Sequence, residues 1–467
     1  MNARFVIKNM SIAFLAQGIS LAMGVLQSLL VPKLLGVTQY GYWQLFIFYT
    51  GYVGFFHLGL NDGVYLINGG KSRTQIDKRL VHSQFIVSVA FQTVVAVIVS
   101  IVAIAWGFGT ARVFVLVCSA IFMVIQNAAS YVMYVLQAMN ETKLSSYSTI
   151  VERGIFLVPL ALLLLTRVRS FEPYVIAYIF SSVVQVAYCL YHVREFRRAG
   201  FLGLKDSLLE SVKSVRVGSK LMIANIASGL IVGVCRFAID AKWGIQTFGE
   251  LSFAFSLLTL YTAFVAQASM VLFPSLKQSN ESEIKKFYAH ARDTLSLLFP
   301  IVYALYFPMT WLLLLWLPQY ANSMAYLVFI LPICVFDSKM DITCTTVFKV
   351  TREESRLLYI NIATVAISAL GVVLGTFVFQ SVYVAIMATV VAIVGRSIYS
   401  EHIVAERLRV NETSITIFEI VLTLSFIVMT EILPPVVAFL GYCAVYALYL
   451  FTYRERVREI AGLIRRI

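Results

Sequence analysis

Apolar runs and short polar breaks alternate along this chain about fourteen times, and each run is close to the roughly 20 residues that a helix needs to cross a hydrocarbon layer. The spacing predicts helices over 9–31, 41–60, 82–106, 113–137, 149–166, 174–193, 219–241, 249–275, 293–317, 324–348, 357–379, 381–400, 415–432 and 434–452. The fold class this implies is an all-α polytopic membrane protein.

The pattern also restarts. Gly36 and Gly41 return as Gly244 and Gly249, an offset of 208, and Val37, Tyr40, Ala16 and Ser20 meet Ile245, Phe248, Ala224 and Ser228 at the same offset. Each copy sits between two long apolar runs, so the repeated unit is a helical hairpin. Two six-helix lobes are therefore expected: residues 1–200 (helices one to six) and 219–405 (helices seven to twelve). Between them, 201–218 reads as a basic amphipathic linker on the inner membrane surface, with Ser207 and Glu210 as a capping box. Residues 406–452 add two helices outside the repeat, and 453–467 form a basic amphipathic tail. Matching lobes suit a transporter that rocks about a central binding site.

Composition agrees: 60% of the 467 residues are hydrophobic, mean hydropathy is +0.84 and 13% are charged, against roughly a quarter charged in soluble proteins. No cleavable leader is expected, because the first apolar run is too long and lacks a small-residue cleavage site. The six cysteines all fall within apolar runs and read as small buried hydrophobes, with no disulfide or metal role.

A net charge of +13 raises nucleic acid as a partner, but its placement argues for topology instead. With the N-terminus inside, inner segments hold 28 of the 37 Lys and Arg, and outer loops hold five. Both termini are then cytoplasmic, and all five tryptophans fall near the outer boundary as an interfacial belt. The Asn140 and Asn411 glycosylation patterns face the cytoplasm in this topology. Gly69-Gly-Lys-Ser72 is not a phosphate loop, because Tyr65 stands where its first glycine is required.

Charge inside the bilayer costs about 2.5–3.5 kcal/mol per residue, so each such residue is a functional candidate. Asp337 and Asp341 share a helix face in the tenth run and are coupling-ion candidates. Lys339 points elsewhere and is a candidate cavity cation, and Pro332 is expected to break the helix just before them. Arg236 is a second cavity cation; Asp240, one turn on, is a third coupling-ion candidate unless it pairs with Arg236 or sits at the outer boundary. Arg153 is a third cavity cation unless it snorkels with Glu152 to the surface. Arg396 and Glu419, near inner helix ends, read as snorkelling. His57 is a proton carrier or a hydrogen-bonded core group. Gln17 and Asn225, equivalent in the two copies, line a cavity or bond between helices. Asn61 and Asp62 end the second helix in a glycine-flanked turn.

Leu35-Gly-Val-Thr-Gln-Tyr-Gly-Tyr-Trp-Gln-Leu45 followed by Leu58-Gly-Leu-Asn-Asp-Gly63 resembles the first hairpin of polysaccharide flippases. These are the O-antigen and capsule translocases of the multidrug/oligosaccharidyl-lipid/polysaccharide exporter superfamily. The motif covers only that hairpin, while helix number, lobe repeat and basic inner loops extend the resemblance over the whole chain. It implies a MATE-like fold in a bacterial plasma membrane and no enzymatic activity. The substrate would be a polyprenyl-pyrophosphate-linked oligosaccharide, with Arg153, Arg236 and Lys339 facing its phosphates. It implies no cofactor beyond an H+ or Na+ gradient, coupled through Asp337 or Asp341, and no nucleic acid. The implied partners are membrane lipids and other polysaccharide-assembly proteins. Multidrug exporters of the superfamily carry an acidic residue in the first helix and lipid II flippases carry arginines there. This chain has no ionisable residue between Lys8 and Lys33, which ranks both branches lower. A small-molecule exporter and a membrane polysaccharide polymerase are the rival readings, the second disfavoured by outer loops too short for a catalytic domain.

Overall fold

A computed structural model describes residues 18–277, 279–410 and 415–458, including the side chains of all but residues 225, 267–275 and 277. Every regular element among the described residues is helical. The chain divides into two compact units, meeting at Ile226 and Ala227 in the sequence.

The first unit contains α1 (Gly18–Leu29) and α2 (Val31–Thr50), a 3-10 turn (Val53–His57), and α3 (Leu60–Asn68). It continues with α4 (Lys78–Ala105), α5 (Thr110–Ala138), α6 (Thr142–Leu165), α7 (Glu172–His192), the short α8 (Arg194–Arg198) and the start of α9 (Leu204–Lys277). The rest of α9 belongs to the second unit. There it is followed by α10 (Glu281–Leu298), α11 (Ile301–Trp316), α12 (Ala321–Ile330), α13 (Pro332–Met340) and α14 (Thr346–Val350). The unit closes with α15 (Glu354–Val373), α16 (Val382–Leu408), α17 (Ile415–Ile432) and α18 (Pro435–Thr452).

The repeated glycines carry a repeated backbone. Gly36 (φ 68°, ψ 173°) and Gly244 (φ 81°, ψ −175°) each interrupt a helix in a conformation that is essentially restricted to glycine. Beyond each break the matching positions are fully buried: Tyr40 with Phe248, Trp43 with Leu251, Leu45 with Phe253. The 208-residue offset is thus a repeat of structure as well as of letters.

Among the described residues ten helices are long and apolar enough to cross a membrane, and the bent pair Gly18–Leu29 and Val31–His57 makes an eleventh. Fourteen were expected, and the glycine breaks explain most of the difference. Runs one and two fall within the bent pair, and runs seven and eight within the element Ile226–Ala266, which folds back at Gly244 so that Arg236 meets Ser252. The tenth run does not qualify as a span because it is broken. Pro332 lacks the N–H that would continue α12, and a π turn at Asp341–Thr345 separates α13 from α14. The connections 106–109, 166–171 and 379–381 are short.

Three local expectations change. The linker helix starts at Leu204, and Ser207 donates to Gly203 O at 2.5 Å from inside it, so no capping box forms there. The helix meets α3 backbone to backbone: a Cβ added at Gly63 would lie 1.9 Å from Ser214 O, and one at Gly218 2.0 Å from Gly59 O. Small residues on both helices permit this approach, while Leu208, Leu209 and Val212 stay exposed. Asn61 and Asp62 open α3 instead of ending the helix before it, because Leu58 (φ 53°) and Gly59 (φ 87°) turn the chain. Trp43 is fully buried among aromatic rings and does not join an interfacial belt, unlike the exposed Trp106, Trp311 and Trp316.

Candidate functional site

Charged and amide side chains gather at three places in the first unit. On α6, Glu152 is buried and accepts from Ser182 at 3.3 Å, so it does not snorkel. Arg153 beside it is partly buried, with Nη1 3.5 Å from the Tyr178 hydroxyl. Its Nε has no hydrogen-bond partner among the described residues. The Tyr178 ring meets Trp43, Phe46 and Phe156 edge-on, which fixes the phenol that the guanidinium faces. His57, in contrast, serves its turn. Its Nδ1 accepts from Gly59 N–H at 3.0 Å and its Nε2 lies 3.8 Å from Asp62. Asn61 and Asn127 tie the same corner through backbone carbonyls, Asn61 to Asn127 O and Asn127 to Val53 O. The third group is the polar end of the unit. There Arg73 bridges Glu141 and Glu195 at 2.7 and 2.6 Å, and these carboxylates raise its pKa above the ordinary arginine value.

In the second unit, Arg236 is brought to its partners by the Gly244 break. Nη2 donates to Ser252 Oγ at 3.0 Å, and the guanidinium lies over the rings of Phe248 and Phe255 at 5.2 and 5.9 Å. Ser252 is 16 residues further along the same element, about 24 Å away had the helix run straight. Asp240 is buried one turn beyond Arg236.

Asp337 and Asp341 line one open cavity of about 270 Å³ together with Ser338, Thr259 and Thr262. As expected from their spacing they share a face, and Lys339 does not. Arg396 of α16 pairs with Asp337, and also donates to Asn361 at 3.1 Å and Ser228 at 3.4 Å. The cavity is therefore acid-lined, with a cation clamped behind one of its carboxylates.

Three expectations about charge are overturned here. Lys339 is not a cavity cation. It is fully buried on the opposite face of α13, 2.7 Å from Glu401, in contact with Glu419 and 3.4 Å from Ser296. Arg396 and Glu419 do not snorkel; both are buried and ion-paired because other helices cover them. Glu401 was missed altogether. Its signal was an acid five residues after Arg396 inside a long apolar helix, more charge than one span carries without partners.

Gln17 lies outside the described residues, as does the side chain of Asn225. Among the described residues no group of three His, Cys, Asp or Glu is arranged to hold a metal. The six cysteines are free thiols, five of them buried.

Comparison with known proteins bears on what this arrangement serves. No curated protein sequence matches the chain. Solved structures match along nearly its whole length. A lipid II flippase, MurJ, in an inward closed conformation superposes with a TM-score of 0.67 at 12% identity, covering 97% of this chain and 100% of its own. A multidrug resistance MATE family transporter of the MOP superfamily, inward-facing, gives 0.52 at 12% identity over 86% of this chain and 96% of its own. A MATE protein in complex with MaD3S gives 0.53 at 12% identity, over 86% and 95%. At such identities the likeness establishes a shared fold alone; the ten or eleven helices among the described residues that are long and apolar enough to cross a membrane make this a multi-pass membrane protein. The profile of one sequence family, described as polysaccharide biosynthesis protein, matches residues 6–280. That match spans more than half of the chain, from the first hairpin past the repeated one, and by it the chain belongs to the polysaccharide biosynthesis protein family.

Proposed function

We propose that the protein translocates a lipid-linked oligosaccharide, carried on a polyprenyl pyrophosphate, across a bacterial plasma membrane by alternating access. The observation that carries the reading is the match to a polysaccharide biosynthesis family on a chain with a flippase-like transporter fold. The side chains give it chemistry. Arg153 and Arg236, one in each unit, are partly buried beside aromatic rings, an environment suited to a phosphate with sugar attached. Asp337 and Asp341 supply acid in a cavity and are assigned the coupling cation, H+ or Na+. Lys339 is assigned to holding α13 in place and not to substrate. In this reading both termini are cytoplasmic, and the surface glycan assembled is O-antigen, capsule or exopolysaccharide.

The test is reconstitution into vesicles with a fluorescent polyprenyl-pyrophosphate oligosaccharide, following its passage to the inner leaflet. Arg153→Gln and Arg236→Gln should each slow passage roughly 10- to 100-fold, the worth of one or two charge-assisted hydrogen bonds. Wild-type rates in both variants reject their role, and no passage with the wild-type protein rejects the function. A second reading, cation-coupled export of small amphipathic molecules, draws on the acid-lined cavity and on the likeness to the MATE transporters. Cation-dependent efflux of a small dye from vesicles that leave the glycolipid untouched favours it.

A further inference from the structure

The first unit contains a second cavity, remote in chemistry from anything assigned above. It has a volume of about 380 Å³ and lies among α4, α5, α7 and α8. Its floor is the unit's buried apolar cluster, with Tyr131, Val132 and Val135 of α5, Val81 of α4 and Phe196 of α8. The one hydroxyl on that floor, Tyr131, is already committed to Val81 O at 2.8 Å. The rim is basic: Arg194 and Arg197 are exposed cations, and His82, its Nδ1 3.1 Å from Gly200 O, stands across from them on α4. No lining residue is acidic. The one acid of α8, Glu195, is held 2.6 Å from Arg73.

Depth fits this division. Span α4 begins at Lys78 and span α7 ends at His192, so the rim lies at the shared polar end of two spans and the floor one to two turns further in. Leu190, Tyr191 and Ala187 on the wall are exposed, which leaves the opening accessible from lipid. An apolar hole with a basic rim at that depth is complementary to one molecule type, an acyl chain ending in a phosphate. Two cations serve a single phosphate well, whereas no amide side chain lines the cavity and its two hydroxyls are Tyr131, already committed, and Tyr191 on the exposed wall. A lining with one uncommitted hydroxyl offers little to the oligosaccharide head of the proposed substrate.

We propose that this cavity is a binding site for an anionic phospholipid of the bilayer, its acyl chain against Tyr131, Val132 and Val135 and its phosphate on Arg194 and Arg197. The site is independent of the transport reading and stands if that reading fails.

The experiment is native mass spectrometry of the full-length protein released from micelles containing equal phosphatidylglycerol and phosphatidylcholine. Phosphatidylglycerol should be retained at least about tenfold over phosphatidylcholine, the preference that two interfacial arginines supply. Arg194→Gln with Arg197→Gln should remove that preference; both side chains are exposed, so the fold is not at issue. A second variant, Ala187→Trp, fills the opening from an exposed position and keeps both arginines. It should abolish retention as well. Equal retention of the two lipids by the wild type, or an undiminished preference in either variant, overturns the proposal. So does full competition by inorganic phosphate at equal concentration, which would make this a site for a free anion.

Discussion

Replacing Lys339 by methionine should be far more damaging than replacing the glutamate it touches. Lys339 and Glu419 are fully buried, and Glu401, 2.7 Å from the ammonium, is almost so. Two carboxylates thus share one cation. Lys339→Met leaves both without it in a medium that solvates neither, and breaking a buried ion pair in this way costs about 3–5 kcal/mol. Glu419→Gln instead leaves a balanced pair, Lys339 with Glu401, and removes the repulsion between the carboxylates. It should cost less than about 1.5 kcal/mol. For a unit of this size 1 kcal/mol shifts the melting temperature by about 2–4 °C, so Lys339→Met should lower it by roughly 6 to 20 °C. Thermal unfolding of the purified protein in detergent, followed by tryptophan fluorescence, reads the difference. The triple variant Lys339→Met, Glu401→Gln, Glu419→Gln carries no charge in the cluster and should recover most of the loss. If Glu419→Gln melts as low as Lys339→Met, or Lys339→Met melts with the wild type, the two carboxylates do not depend on Lys339 as their shared cation.

Other outcomes follow from the backbone and from Asp62. Gly63→Ala forces a Cβ to within 1.9 Å of Ser214 O and should destabilise by about 1–3 kcal/mol. Gly154→Ala, whose Cβ meets open space, should instead be neutral or stabilising by up to about 1 kcal/mol. The two melting curves separate these cases. Gly36→Ala and Gly244→Ala place a side chain on glycine-only backbone and should each cost about 1–3 kcal/mol; equal melting with the wild type would show that the breaks do not require glycine. Burial raises the Asp62 carboxyl from 3.8 to about 6, so its neutral form is favoured in the fold. The stability it contributes is complete below 3.8 and is lost as pH rises through about 6. The melting temperature should accordingly fall between pH 4 and pH 6 more steeply in the wild type than in Asp62→Asn, and identical slopes would refute that origin.

The letters of this chain determined its membrane character and its internal repeat. Runs of apolar residues are long enough to read one at a time, and a glycine held at φ near 70–80° leaves the same trace in both halves. The break at Pro332 and the shared face of Asp337 and Asp341 were legible for a similar reason, since both depend only on near neighbours along one helix. What the letters did not contain is which charges meet. Lys339 finds carboxylates 62 and 80 positions away, and Arg396 finds Asp337 at a separation of 59. A residue near a helix end snorkels if lipid lies beside it and pairs if another helix does. Only the packing of α13, α16 and α17 decided between those outcomes for Arg396 and Glu419. Close approach was hidden likewise: Gly59, Gly63 and Gly218 read as turn or linker residues until two helices cross there without side chains between them. Desolvation makes an unpaired charge or a clashing Cβ costly, but that cost depends on what covers the residue, and in this protein the cover comes from distant segments.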